Sequence, residues 1–375
     1  MIYLDNAATT KVYPEAVAAM QKIYSEDFYN PSSTYAGGIK VKKIINESRM
    51  QIARALNCSS GEIYFTSCAT ESNNWALNSG FKNKKGNIVI SAGEHAGIYE
   101  CAKNLKNKGF DVRIAALSGT GETDREDLLK KVDENTALVS IIHASNETGT
   151  LNDIAALSSA VKSVNSRVVF HADGVQAFLK TRCDVKSLGV DMYSVSGHKI
   201  GAPKGIGALY VSSKLNIQPF IFGGGQENGM RSGTENTAAI IAFAQAVKRF
   251  EKDFSETETL RKRKLLINEL KKTEGIQIIG GERNTGMITA FSAIGTKAEI
   301  IQSMCADDEV IIGRGSACSS RHGGNRVLAE MGLTKAQIDG TLRISFSPET
   351  SDKEIIEAVR IIACNIEKLR GRRIG

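Results

Sequence analysis

The chain has 375 residues, 42% hydrophobic and 24% charged, with a formal net charge of +7. That length is too great for one compact core and predicts about two domains of an ordinary soluble globular protein. No uninterrupted apolar run approaches the roughly 18 residues of a membrane span. Aromatic residues, at 6%, do not interleave with basic ones as a base-stacking surface requires, so direct nucleic-acid binding is not expected, despite the basic close KLRGRRIG.

The opening, MIYLDNAATT, meets Asp5 without a basic n-region or apolar h-region, so no signal peptide is expected. Candidate strands then follow at 62–67, 87–91, 111–117, 137–144, 167–173, 191–197 and 207–213, each rich in β-branched residues. Helix-like segments at 70–81, 97–108, 124–132 and 153–164 lie among them. This alternation predicts an α/β fold with a mostly parallel sheet covered by helices on both faces. Its ligand should sit beyond the carboxyl ends of the strands. From about residue 236 the pattern changes to a long helix (236–252), a charged helix over ETETLRKRKLLINELKK, and a smaller α+β set. That set contains GMITAFSAI, DEVIIG, TLRISFS and a closing helix from Asp352. The expected division is a large domain over 14–253 and a small domain, made of 254–375 together with the N-terminal segment 1–13, that carries the mobile cysteine loop.

Seven cysteines (58, 68, 101, 183, 305, 318 and 364) form no CxxC pair. An odd, scattered set argues against a disulfide framework and for a reducing compartment, which makes the cytoplasm the expected address. Cys318 stands apart. It lies in GRGSACSS, just after a strand, where nothing large packs around it, whereas cysteine usually sits among apolar neighbours. Read alone, it is equally an incidental thiol of a surface loop.

The strand ends carry the candidate chemistry. RVVFHAD ends in Asp173 with Gln176 close behind, and DMYSVSG leads into Ser196, His198 and Lys199. TSCATESNN sets Ala69 and Thr70 at a strand-to-helix junction, where free N–H groups favour an anion. Asp173 could instead cap a helix, and Lys199 could be a surface lysine. Other chemistries find no motif: there is no GxxxxGK[ST], no HExxH, and the five histidines (95, 143, 171, 198, 322) lack metal-ligand spacing. Together the residues fit pyridoxal phosphate, which needs an amine, an acid at the ring nitrogen, an anion cradle and a group over the ring face. Lys199, Asp173, the set Ala69, Thr70, Ser196, His198 and Thr234, and His95 in SAGEHAG supply these.

The chain resembles the cysteine desulfurases of the class V aminotransferase-like, fold-type I pyridoxal-phosphate family. YLDNAATT, TSCATESNN, GEHA, SNETGT, HADGVQA, SGHKIGAPKGIGALY, GGGQENGMRSGTEN, GSACSS and LRISFS occur in the family's order from residue 3 to 347. The resemblance implies that Lys199 carries the cofactor, His95 stacks on it and moves protons, and Asp173 meets the ring nitrogen. It places Gln176 and Asn146 near the phenolic oxygen and Thr70, Ser196 and His198 at the phosphate. Thr234 would reach the phosphate site of a second subunit, making a homodimer. Arg343 would fork onto the carboxylate of L-cysteine, with Asn146 beside it. Cys318 would accept the sulfur as a persulfide, leaving alanine, and pass it to an acceptor protein of iron–sulfur assembly or of thio-cofactor or tRNA thiolation. Without that context, Arg343 reads as a buried strand arginine in an ion pair. The other cysteines read as packing.

The sequence departs from the family pattern at Cys68, where glycine is common, at Ser145, where a second asparagine is common, and at Gly97, which leaves the stretch after His95 bare. The stretch after Cys318 is one residue short and lacks the usual proline. A selenocysteine lyase or a class V aminotransferase would use the same cofactor residues, although an aminotransferase has no need of GSACSS. A non-catalytic sulfur-relay scaffold is the remaining alternative, and the presence of Lys199, Asp173 and Arg343 speaks against it.

Overall fold

A computed structural model of the chain describes residues 1–79, 86–315 and 326–371. Cys318, Arg321 and His322 therefore lie outside the described residues. Twelve strands are present among those described: β1 (Ile2–Leu4), β2 (Ile63–Thr66), β3 (Asn87–Ser91), β4 (Asp111–Ala115), β5 (Thr136–Ile142), β6 (Val169–Asp173), β7 (Met192–Ser196), β8 (Gly207–Val211), β9 (Ile276–Ile279), β10 (Ile288–Ala293), β11 (Val310–Arg314) and β12 (Thr341–Ser345). They build a seven-stranded sheet of order β2-β8-β7-β6-β5-β3-β4 and a five-stranded sheet of order β1-β11-β12-β10-β9.

The larger sheet is parallel except for β8, which runs antiparallel to both β2 and β7. Its strands are covered on both faces, which explains their near-continuous apolar character. The period of two is visible in the packing. Val89, Val139, Ile141, Phe170, Tyr193 and Val195 join one core cluster, while Ile88, Ile90, Leu138, Met192 and Leu209 join another on the opposite face. Helices Thr237–Asp253 and Ala36–Ala55 pack on each other and belong to the first cluster. The crossover helix Ile154–Val164 is capped by the Asp153 side chain, which accepts from the Ala156 amide.

The smaller sheet closes on Phe291, Ile301, Ile312, Leu342, Ile344 and Ile362. It includes β1, which pairs parallel with β11, Ile2 facing Val310 and Leu4 facing Ile312. The N-terminal segment thus reaches the small sheet first and then runs back to the large one, where Thr10 N and Oγ1 both donate to the His198 carbonyl. The expected small-sheet strands at 286–294, 308–313 and 341–347 are β10, β11 and β12, and β9 escaped the pattern because its four residues are only half buried. No helix among the described residues is long and apolar enough to cross a membrane.

Strand order places the functional edge. The connections after β3 and after β5 leave in opposite directions, because β3 is flanked by β4 and β5 while the chain continues from β5 to β6 and β7. That divergence opens a crevice beyond the carboxyl ends of β3, β5, β6 and β7.

Candidate active site

Asp173 is the last residue of β6 and is 3% exposed. Its Oδ2 accepts from Asn73 Nδ2 at 2.7 Å, and its Oδ1 accepts from the Val175 amide at 3.0 Å. The next residue must be glycine, since a Cβ at 174 would run into the ring of Tyr193. One strand over, β7 ends at Ser196 and a single 3-10 turn, Gly197–Lys199, follows. Lys199 Nζ donates to the carbonyls of Ala7 and Ala8 at 2.6 and 2.7 Å. Gln176 is buried and donates from Nε2 to the same Ala7 carbonyl at 2.9 Å.

His95 follows β3 and caps the helix Ala96–Asn107, its Nδ1 accepting from the Gly97 amide at 3.0 Å. Burial pushes its pKa below the ordinary histidine value; Lys199 and Arg326 add to that, and Asp173 opposes it. A neutral ring whose Nδ1 accepts carries its proton on Nε2. The bareness of Gly97 has a reason: a Cβ there would lie 3.3 Å from His95 Nδ1 and 3.4 Å from Thr70 Oγ1. The starts of the helices Ala96–Asn107 and Ala69–Ser79 can therefore close on one another.

Thr70 sits in the first turn of Ala69–Ser79, where amides lack intrahelical partners. Gly207 of β8 keeps that turn open, since a Cβ there would sit 2.8 Å from the Cys68 carbonyl carbon and 3.0 Å from the Ala69 nitrogen. His198 faces the same region, with Nδ1 3.2 Å from Thr9 Oγ1. Burial first, then repulsion from Lys199, Lys204, Lys180 and His95, lowers its pKa to about 4. Free amides, hydroxyls and a convergent positive field are the donor set an anion needs. The residues present thus fit a phosphate-bearing cofactor, with an amine and a buried carboxylate at the neighbouring strand ends.

Arg343, in the middle of β12, comes from the other sheet. It is 4% exposed, donates from Nη2 to Asp5 Oδ1 at 2.8 Å and from Nη1 to the Asn146 carbonyl at 2.7 Å, and leaves a buried Nε without a partner. It is a strand arginine in a partly buried ion pair with one donor unused. Gly313, opposite Arg343 in the β11–β12 register, makes the room: a Cβ there would be 2.5 Å from Asp5 Oδ1 and 2.9 Å from Arg343 Nε.

Both flanks of the stretch that holds Cys318 lie at this site. Gly313 is the near flank. On the far side, Arg326 donates to the carbonyls of Ala92 and Glu94 and stacks 3.9 Å over the Tyr99 ring, clamping the turn that carries His95. Thr234 is exposed, three residues before the helix Thr237–Asp253, and it is tied in through the neighbouring pair Arg231–Glu71 at 2.8 Å. Among the remaining thiols, burial pushes Cys58 up to about 12 and Cys183 and Cys305 up to about 11. Such thiols stay protonated and are poor nucleophiles.

Four residues escaped the sequence reading: Asp5, Asn73, Lys180 and Glu94. The first two lie inside quoted motifs, YLDNAATT and TESNN, but their partners are far away in the chain. Lys180 is 5% exposed, and Glu94 is 1% exposed with both carboxyl oxygens unpartnered among the described residues.

The open α/β sheet flanked by helices, with a second smaller sheet, is the fold-type I architecture of pyridoxal-phosphate-dependent enzymes. More narrowly, the chain belongs to the class V aminotransferase family, whose model matches residues 2–358. A curated cysteine desulfurase of Trichormus azollae is 35% identical over 99% of this chain and 94% of its own length. A solved NifS-like protein superposes with a TM-score of 0.92 at 32% identity, covering 98% of this chain and 100% of that one. The structure of SspA in complex with cysteine gives a TM-score of 0.84 at 30% identity, over 94% of this chain and 100% of that one.

Proposed function

We propose that the chain is a pyridoxal-phosphate-dependent cysteine desulfurase that converts L-cysteine to L-alanine and takes the sulfur on Cys318. The observation that supports this reading is that one N-terminal stretch, 5–8, bonds both Lys199, just past β7 of the large sheet, and Arg343, in β12 of the small one. The cofactor, when bound, supplies an electron sink for the pair left on the substrate Cα. Lys199 would hold its aldehyde carbon, Asp173 its ring nitrogen, Gln176 and Asn146 its phenolic oxygen, and Ala69, Thr70, Ser196 and His198 its phosphate. Thr234 of a second copy would complete the phosphate site, so the working unit is a homodimer.

The chain's own groups then divide the work. Arg343, through Nε and the guanidinium edge, forks onto the substrate carboxylate beside Asn146. The Lys199 amine takes the Cα proton. His95, neutral with its proton on Nε2, exchanges a proton near the substrate thiol. The Cys318 thiolate attacks the substrate sulfur; the C–S bond breaks, an S–S bond forms, and Cα–Cβ keeps the carbon skeleton as alanine. L-cysteine plus the Cys318 thiol thus gives alanine plus the Cys318 persulfide, with no outside oxidant. An acceptor protein of iron–sulfur assembly or of a thiolation pathway would then collect the sulfur. Six free thiols among the described residues fit a reducing, cytoplasmic setting.

The test is chemical. The purified holoenzyme should be yellow, and borohydride should bleach it and leave a pyridoxyl group on the peptide containing Lys199. An adduct on Lys204 instead would overturn the assignment.

A further inference from the structure

Behind the site lies a lysine that the mechanism above does not use. Lys180 is 5% exposed and ends the turn that follows Gln176. Its Nζ donates to Gln176 Oε1 at 3.0 Å, Gln176 Nε2 donates to the Ala7 carbonyl at 2.9 Å, and Lys199 Nζ donates to that same carbonyl at 2.6 Å. The three contacts form one continuous path from Lys180 to Lys199.

The placement of Lys180 has a backbone cause. Leu179 adopts a positive φ of 61°, a left-handed conformation rare for a residue with a branched side chain and costly by about a kilocalorie per mole or more. Strain held at a non-glycine residue next to a buried amine indicates that the surrounding structure holds this turn in place. The groups acting on Lys180 electrostatically are Lys199, which repels its charge, and the Cys183 thiol, which favours it; His198 in turn registers the charge of Lys180. Burial first, then Lys199, brings the amine down to about 7.

We propose that Lys180 is a positioning residue for Lys199, acting through Gln176. The two contacts together settle which end of the amide faces which partner, because the Ala7 carbonyl can only accept and so takes the NH2 end, leaving the oxygen for the Lys180 donor. Gln176 Oε1 must therefore turn to Lys180 and its Nε2 to Ala7. The Ala7 carbonyl is then held from one side by Gln176 and is presented to the Lys199 amine from the other. Without Lys180, a buried Oε1 loses its donor, the amide is free to flip, and an oxygen would face the Ala7 oxygen. Lys180 does not touch the reacting atoms; it fixes the carbonyl that the reacting amine leans on.

This inference rests on Lys199 being the cofactor-bearing amine, and the test separates the two. The visible absorbance of the holoenzyme is titrated between pH 5 and 10 in the wild type, Lys180→Met, Lys180→Arg, Gln176→Leu and the Lys180→Met/Gln176→Leu double variant. Lys180→Met should move the spectral midpoint by about one pH unit, a tenfold change in the equilibrium, and Lys180→Arg should restore most of it. The double variant should match Gln176→Leu alone, since both substitutions cut the same path. Should Lys180→Met fail to fold, Lys180→Gln, neutral but polar, carries the same measurement. An unmoved midpoint, additive shifts in the double variant, or equal shifts in the Met and Arg variants would overturn the positioning role. A wild type with no visible band would contradict the cofactor reading itself, and this inference with it.

Discussion

The edge of the large sheet and the β11–β12 pair of the small sheet serve one site by different physical means. At the large-sheet edge the reactive groups are held by neutral partners: Lys199 by two carbonyls, Asp173 by an amide side chain and a backbone N–H, His95 by the Gly97 amide. On the small sheet Arg343 is held by a half-buried carboxylate, Asp5, which is itself the kind of group the site is expected to bind. The first arrangement is preorganised and can accept a cofactor without giving up an ion pair. The second keeps a buried guanidinium compensated until a substrate carboxylate shares it, at the unpartnered Nε or in place of Asp5. Removing one member of such a pair strands the other charge.

The comparison can be broken at either end, and the largest effect is expected at the large sheet. Lys199→Ala removes the amine proposed both to carry the cofactor and to accept the Cα proton. It should abolish the borohydride-fixed adduct and lower cysteine turnover by roughly a thousandfold or more, within the usual range for losing a general base. The cofactor that remains bound should be lost on gel filtration, which absorbance and peptide mapping would detect. A Lys199→Ala protein that keeps a covalent adduct would remove the lysine from its role.

At the small sheet, Arg343→Lys keeps the charge beside Asp5 but loses the fork. It should cost about a hundredfold in kcat/KM, roughly 2.7 kcal/mol, while the melting temperature changes little. Arg343→Leu should also destabilise the fold by about 1.5–3 kcal/mol, because the half-buried Asp5 carboxylate loses its charge-assisted hydrogen bond. If Arg343→Lys binds cysteine as the wild type does, the guanidinium is structural only.

Acid sharpens the contrast, because buried histidines belong to the large sheet. Burial lowers His143 to about 4 and His171 to about 3. Unfolding exposes both rings, which then bind protons below their ordinary value near 6.5. The stability they contribute is therefore complete above pH 6.5 and falls as pH drops toward 4 and 3. At about 1.4 kcal/mol per pH unit, the loss is on the order of 3 kcal/mol for His143 and 5 kcal/mol for His171. By pH 4.5, two units below 6.5, each ring accounts for up to about 2.7 kcal/mol of that loss, so urea midpoints at pH 7 and pH 4.5 should differ by the sum, and His171→Asn should shrink the difference. A flat profile across that window would deny these rings their buried neutral state.

The smallest effect is expected at Cys68. It sits at the strand-to-helix junction before Ala69, with Ser67 Oγ 3.7 Å from its sulfur, and a junction of this kind cannot carry a thiol to an acceptor. Cys68→Gly should keep most of the alanine-forming activity. A hundredfold loss with the cofactor still bound would give this thiol a role it lacks here.

Much of this arrangement was legible in the sequence where local signals suffice. The runs NIVIS, VFHAD and MYSVS are strands because β-branched and apolar residues alternate between two cores, and the residues just past their ends fall at one edge of a parallel sheet. His95, Asp173 and Lys199 could therefore be placed without long-range information. What stayed hidden depends on distant pairing. Asp5 meets Arg343 across 338 positions, and Asn73 meets Asp173 across 100; neither partner marks the other in sequence. Strand β1 has three residues and no pattern of its own, and only its pairing with β11 makes it a strand. Lys180 was missed because its burial follows from a left-handed leucine, a position at which sequence rules look for glycine.

The central claim is that sulfur leaves cysteine for Cys318. Holoenzyme exposed briefly to L-cysteine, quenched with an alkylating reagent and mapped by mass spectrometry should carry one added sulfur atom on the peptide containing Cys318. Cys318→Ser should keep its visible band and its spectral response to cysteine, because Lys199, Asp173 and Arg343 are untouched, while alanine release collapses. Turnover of L-cysteine by Cys318→Ser at the wild-type rate would contradict the account and favour a lyase or a transaminase on the same site, and the added sulfur found on the Cys68 peptide would contradict it by moving the acceptor to that thiol.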